Sequence, residues 1–426
     1  MIRKKRMGKG IAKILSGLLV FGMVAGLVPA VPGGTVNAKA TEINGQNATA
    51  EPHTHCVCGT GNLSVERHTH KEETWTGISK LSDINREGNY YLTQDVTLTS
   101  AWTCQRNVNL CLNGHSITRT AKEYYDQNGN NAVIIIKNNV DFTLTDCKGT
   151  GTITHKQGVS GEGVYNDGRF FMYNGIIFGN NGGVKNPGMF FMYGGTITSN
   201  TANNGGEVDN AGTFTMDGGT ITSNTANNGG GVYNDNAGRF IMYGGTITGN
   251  KAEQTYGTEY GGGVYNQGTF NMYGGEITNN TATVGGGGVF NKGTFTMSGG
   301  EITSNSSESY GGGVCYSSSQ LFKMSGTVNI TENKVGTTPN NLYLWNGQQV
   351  SASGLTSGAE IGVTTQIVPI NDSSVPITSD SVSVNCFFSD NSDYETAIDE
   401  NSKVVLKTKT AVEAPSITKQ PQPVSV

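Results

Sequence analysis

Residues 261–280 read GGGVYNQGTFNMYGGEITNN. Three strand-like pieces stand out, Gly263-Val264-Tyr265-Asn266, Thr269-Phe270-Asn271-Met272 and Glu276-Ile277-Thr278, divided by corners rich in Gly and Asn. Strand side chains alternate between faces, so Phe270 and Met272 share one face while Asn271 and Tyr273 share the other. The plan recurs seven times between residues 161 and 333, with Val at 164, 184, 208, 232, 264, 289 and 314, an average interval of about 25 residues. No helical period runs through it.

The register places Phe170, Phe190, Phe214, Phe240, Phe270, Phe295 and Phe322 in one inward column and Met172, Met192, Met216, Met242, Met272, Met297 and Met324 in a second. In the last unit, Val328 and Ile330 are both suitable for the following Ile position. Three short strands with no helix between them cannot form a βαβ unit, but they can wind as one coil of a parallel β-solenoid. Stacked coils repeat at ~4.8 Å, and a buried Phe stabilises by about 1.5–3 kcal/mol only when a neighbouring coil covers it. The expected fold is therefore all-β, with about 25 residues per coil.

Phe to Ile spacing is constant at 7 in the first six units, whereas the run from the unit's last Asn to the next Val takes 4, 8, 8, 14, 9 and 9. Length variation thus gathers on one edge, where contact loops are usually found. Two Asn columns mark corners: Asn166, Asn186, Asn210, Asn234, Asn266 and Asn291, then Asn180, Asn200, Asn224, Asn250, Asn280, Asn305 and Asn333. Asn tolerates left-handed backbone angles, and stacked amides bond one another, so both columns read as structural.

Of 426 residues, 62 are Gly, without the every-third spacing of collagen. Residues 1–40 combine a basic start, an uncharged run from Ile14 to Val31 and Asn37-Ala38-Lys39-Ala40, the features of a secretory signal. An exported chain, secreted or at the cell surface, with no membrane span after cleavage is expected. Removing that leader takes seven of 28 basic and none of 33 acidic residues, leaving a net charge of −12. Such a surface repels phosphate backbones and argues against a nucleic-acid partner.

On these motifs the chain resembles a right-handed parallel β-helix of the pectin-lyase-like superfamily, more narrowly the exported repeat proteins of Gram-positive bacteria with units such as GGGVYN, GTFTMYGG and TITNN. Ile78–Thr118, with GNYYLTQDVTL and LCLNGHSI, and the trailing stretches Asn341–Val363 and Phe387–Leu406 look like further coils. The resemblance spans roughly residues 76–406 and implies polysaccharide lyases, hydrolases or adhesins alike, so it does not choose an activity. The polygalacturonase motifs of that superfamily are missing. The stretch Pro415–Pro421 resembles the opening strand of an immunoglobulin-like module, and the chain is expected to stop inside a larger protein. The organisation expected is 1–40 signal, 41–75 His/Cys-rich segment, 76–160 first coils and cap, 161–333 seven repeats, 334–410 last coils and cap, and 411–426 the start of that module.

The densest set of ligand-type residues is His53, His55, Cys56, Cys58, His68 and His70. Imidazole and thiolate suit zinc, the one cofactor the sequence suggests, although Cys-x-Cys is tight for it and an exported pair can oxidise instead. Cys111 and Cys147 could bridge adjacent early coils; Cys104 with Cys111, or two separate thiols, are the alternatives.

Outward aromatic residues could stack on sugar rings or a partner chain. In the first strand these are Tyr165, Tyr233, Tyr265 and Phe290; in the second, Phe171, Tyr173, Phe191, Tyr193, Tyr243 and Tyr273, with the aliphatic Ile241 among them. The longest corner, 251–260, adds Tyr256 and Tyr260. Binding is assigned to Tyr165, Tyr233, Tyr256, Tyr260, Tyr265 and Phe290.

Acidic positions supply a catalytic alternative. Glu276 and Glu301 occupy equivalent sites, so stacking would set them about 5 Å apart, near the separation of retaining glycosidases. Glu207, Asp209 and Asp217 replace residues usual for their unit and read as an acidic patch beside Lys185. The function expected is a non-catalytic surface adhesin or glycan-binding module whose partner is an extracellular glycan or a host or neighbour surface protein. A polysaccharide lyase or glycoside hydrolase using Asp209, Asp217, Glu276 or Glu301, and a passive spacer, are the alternatives.

Overall fold

The computed structural model describes residues 53–57, 71–121, 131–202, 206–253, 260–371, 373–382 and 385–409. The leader, Cys58, His68, His70, Tyr256 and the stretch from 411 lie outside the described residues.

The chain is an all-β parallel β-helix whose main sheet joins 32 strands. One coil shows the construction: Val264–Asn266, Thr269–Met272 and Glu276–Thr278 pair in parallel with Val232–Asn234, Arg239–Met242 and Thr246–Thr248 before them, and with the matching strands after. Pairing is like on like: Phe240 on Phe270 on Phe295, Met242 on Met272 on Met297. Every Phe and Met of the two columns is buried. From Phe170 to Phe322 adjacent rings stack with centroids 4.4 to 4.8 Å apart. In the last unit Ile330 pairs with Ile302, while Val328 faces Gly300 across an irregular register, so Ile330 continues the Ile column.

A fourth strand, which the sequence pattern did not show, closes each middle coil. Thr201–Ala202, Thr225–Ala226, Lys251–Ala252, Thr281–Ala282, Ser306–Ser307 and Lys334–Val335 stack into a separate sheet, ended by the antiparallel Thr338–Pro339. Two residues are too few for a periodicity, and the signal was the recurrent small residue at its buried second position.

Both Asn columns are continuous buried ladders. In the first, Asn166 Nδ2 donates to Asn186 Oδ1, and so on through Asn210, Asn234, Asn266 and Asn291, at 2.6 to 2.7 Å and in steps of 20, 24, 24, 32 and 25 residues. The second runs from Asn180 through Asn200, Asn224, Asn250, Asn280, Asn305 and Asn333 to Asn341 at 2.9 to 3.1 Å. The left-handed residue at this corner is not the Asn, as the sequence suggested, but the residue before it: Gly179, Ser199, Ser223, Gly249, Asn279, Ser304 and Glu332, with φ between 55° and 67°. That turn aims the Asn amide inward, where it bonds main chain and neighbouring coils at once.

At the leading end, Gly88–Leu92, Val108–Cys111 and Asp141–Thr145 are successive parallel rungs. At the trailing end, Leu342–Leu344, Glu360–Thr365 and Phe387–Ser389 continue the helix, whereas Ser374–Pro376, Tyr394–Ile398 and Val404–Thr408 form a small antiparallel sheet instead of a further coil. No helix among the described residues is long and apolar enough to cross a membrane.

Candidate functional site

Three surfaces carry chemistry. The first follows the outward position of the first strand, where register sets Tyr165, Lys185, Asp209, Tyr233, Tyr265, Phe290, Cys315 and Tyr343 in one column. Tyr165, Tyr233 and Tyr260 are half-buried. Tyr265 and Phe290, expected as open faces, are 5% and 4% exposed. They form a satellite core with Cys315 and Tyr343, packed by Tyr233, Tyr260, Tyr310 and Trp345. Tyr260 tilts over Phe290 at 4.2 Å, and Lys292 Nζ lies 5.6 to 5.8 Å from the rings of Tyr260, Tyr265 and Phe290. Hydroxyls are engaged too: Tyr233 donates to Gln267 Oε1 at 2.9 Å, and Gln267 Nε2 donates to Tyr265 at 3.2 Å. The cover comes from later coils and from corners, which the single-strand pattern could not register.

The acidic patch resolves into separate residues. Glu207 is fully buried and points inside, at the position where other coils carry Gly; neither carboxylate oxygen has a hydrogen-bond partner of ordinary geometry. Burial pushes its carboxyl well up, partly offset by the amides of Ala202 and Gly183. Asp209 stays outward, in register between Lys185 and Tyr233. Its carboxyl is pushed up to about 6, by burial first, with Lys185 opposing and Asp235 and Glu162 adding. Glu162, which the sequence reading passed over, is buried with one oxygen unpartnered, and burial raises it as well. Asp217 belongs to the second strand's outer edge. Glu276 and Glu301 are direct cross-coil partners and both are exposed.

The second surface is the outward edge of the second strand. Tyr173, Tyr193, Asp217, Tyr243 and Tyr273 each follow the Met column, their amides bonding the coil before. Tyr173 stacks on Tyr193 at 4.8 Å, and Tyr243 on Tyr273 at 5.1 Å with planes 14° apart. Tyr243 and Tyr273 are 42% and 47% exposed, and beside the column Phe171 stacks on Phe191 at 5.0 Å. At the corner that precedes the second strand an open groove of about 670 Å³ is lined by Asp167, Arg169, Pro187 and Met189, with Arg169 held bidentately by Asp141 at 2.6 and 2.8 Å.

The third surface lies at the leading end, where two sets of residues that the sequence treated separately meet. His53, His55, Cys111 and Cys147 present one ligand atom each, all within 4.8 Å of one another. Thr54–His55 pairs antiparallel with Glu73–Thr74, and Trp75 stacks on His55 at 4.3 Å while its Nε1 donates to the His55 carbonyl at 3.0 Å. His53 stacks on Tyr91 at 4.0 Å. Cys111 sits beside Thr145 on the neighbouring rung, and its Sγ accepts from the Cys147 amide at 3.4 Å. The structure holds Cys111 and Cys147 as thiols. Their hydrogen bond lowers Cys147 and raises Cys111, with His55 and His53 lowering Cys147 further. Cys56 is outside this group, and Cys104 is buried elsewhere against the Arg106 carbonyl.

No protein-family model matches this chain, and neither the curated proteins nor the solved structures offer a match to it.

Proposed function

We propose that this chain is an exported surface module that binds an extended glycan, or the surface of a neighbouring protein, without turning it over. The observation that carries the reading is the exposed, stacked pair Tyr243 and Tyr273, in line with Tyr193 and Tyr173 and interrupted by Asp217. Flat aromatic faces repeated once per coil suit sugar rings that repeat along a chain, and a carboxylate among them can accept hydroxyl hydrogen bonds. Tyr265 and Phe290 are covered, which favours the second strand over the first as the proposed contact surface. The signal-like leader, the likeness to Gram-positive exported repeats and the pectin-lyase-like assignment all belong to this proposal. Glycan-array and cell-surface binding by the wild type, lost in Tyr243→Ala/Tyr273→Ala and kept in Tyr233→Ala, is the expected result. Equal binding by the double variant removes the surface.

One observation favours a second reading, a polysaccharide-active enzyme. Asp209, with its carboxyl near 6 beside Lys185, is poised to exchange a proton close to neutrality. Product release from acidic polysaccharides that stops in Asp209→Asn supports that reading; unchanged release in the variant overturns it.

A further inference from the structure

We infer that His53, His55, Cys111 and Cys147 form a tetrahedral Zn²⁺ site that clasps the leading strand to the first coils of the β-helix. Two neutral imidazoles and two thiolates are the donor set of closed structural zinc sites. Zn–S bonds of about 2.3 Å and Zn–N bonds of about 2.0 Å place neighbouring ligand atoms roughly 3.4–3.8 Å apart in a tetrahedron. Cys147 Sγ and His53 Nε2 already stand at 3.8 Å, and no pair in the group exceeds 4.8 Å. Small side-chain adjustments therefore suffice to close the shell.

The surroundings prepare the ligands. His55 is 7% exposed, and its buried Nε2 has no hydrogen bond of ordinary geometry, while the ring interacts with the Cys147 thiol. Its Nδ1 lies 2.6 Å from the Cys56 carbonyl, an arrangement that puts the proton on Nδ1 and leaves the Nε2 lone pair for a metal. Stacking on Trp75 and Tyr91 fixes the planes of both imidazoles. A buried nitrogen without a well-formed hydrogen bond costs stability, and a cation between two thiolates accounts both for that nitrogen and for the convergence of the four ligand atoms.

The ligand set differs from the one the sequence offered. His53 and His55 are retained, but their partners are cysteines far along the chain rather than the adjacent Cys56. Cys58, His68 and His70 lie outside the described residues and enter the test as separate variants. This inference stands apart from the glycan reading, since it concerns residues before the repeat and a different chemistry.

The test uses the full chain, purified in parallel with and without reductant. Metal analysis is expected to give one Zn²⁺ per chain, and Co²⁺ replacement the intense visible bands and thiolate charge transfer of a tetrahedral site. Both signals are expected to vanish in Cys147→Ser and His55→Ala and to persist in Cys56→Ser, Cys58→Ser and His68→Ala/His70→Ala. X-ray absorption at the zinc edge of the wild type, which does not depend on how the variants fold, is expected to count two sulfur and two nitrogen ligands. A different ligand count, loss of the cobalt signature in Cys58→Ser with retention in Cys147→Ser, or a metal-free chain with a Cys111–Cys147 disulfide in its unreduced peptide map would each overturn the assignment.

Discussion

Asn250→Ala tests whether the buried amide ladder holds the coils together. In the structure Asn250 Oδ1 accepts from Asn224 Nδ2 at 2.9 Å and from the Asn224 main-chain amide at 3.2 Å, while its Nδ2 donates to Asn280 Oδ1 at 3.0 Å and to the Ile221 carbonyl at 2.9 Å. Truncation does not orphan everything: Asn280 Oδ1 keeps the Asn250 main-chain amide, and Asn224 Nδ2 keeps the Ile197 carbonyl. The Asn224 main-chain N–H is left without its acceptor. One such buried amide costs about 1–3 kcal/mol, and the two weakened bonds add about 0.5–1.5 kcal/mol each, so the expected loss is about 2–6 kcal/mol. Because each coil contacts only its neighbours, the loss should be local. Hydrogen exchange is the suitable assay, with faster exchange of amides between residues 221 and 280 and little change near residues 90–145. Asn271→Ala, on the outward face of the next coil, serves as the control and should stay within about 0.5 kcal/mol. A ladder variant that also stays within that bound, or that opens distant coils equally, would refute the reasoning.

Glu207→Gln should stabilise at neutral pH by about 1–3 kcal/mol, because a buried carboxylate whose charge the Ala202 and Gly183 amides only partly offset is replaced by a neutral group. The folded-state pKa lies above the ordinary value, so the wild type loses stability as pH rises past the usual carboxylate range; melting temperatures of the two proteins should converge at acid pH and separate towards pH 7, and a constant gap contradicts this. Asp209 should titrate near 6 by carbon NMR and higher still in Lys185→Ala, since Lys185 lowers it; a midpoint in the ordinary Asp range fails the prediction. Gly249→Val should cost about 1–2 kcal/mol from backbone strain alone, because φ is 65° and a Cβ there meets nothing closer than 3.7 Å. Gly249→Asn should cost less in the same urea titration, and equal costs would point to sterics instead.

The repeat was legible because stacking places identical positions on top of one another, so the inward Phe and Met columns are written at nearly regular intervals. Fidelity ended where contacts cease to be periodic. Residues such as Tyr265 and Phe290 alternate outward as expected, yet Tyr260 from a corner and Tyr343 and Trp345 from a later coil cover them. Glu207 breaks a Gly position, which the sequence shows, but the side it faces depends on the corner's path. At the leading end, His53 and Cys147 are 94 residues apart and belong to no repeat, so composition flagged each half of the cluster without joining them.

The second Asn ladder has a direction. Each amide nitrogen points towards the next coil, the last donates from Asn341 to Asp390 at 2.6 Å, and the first carbonyl oxygen meets His155 Nδ1 at 2.9 Å. A donor plugs one end and an acceptor-only carboxylate plugs the other, so the thread of aligned dipoles is keyed and terminated. Whole rungs can then be copied into or deleted from the middle without disturbing either plug, each changing the reach of the molecule by ~4.8 Å. Length can therefore change by whole rungs without redesign of the fold.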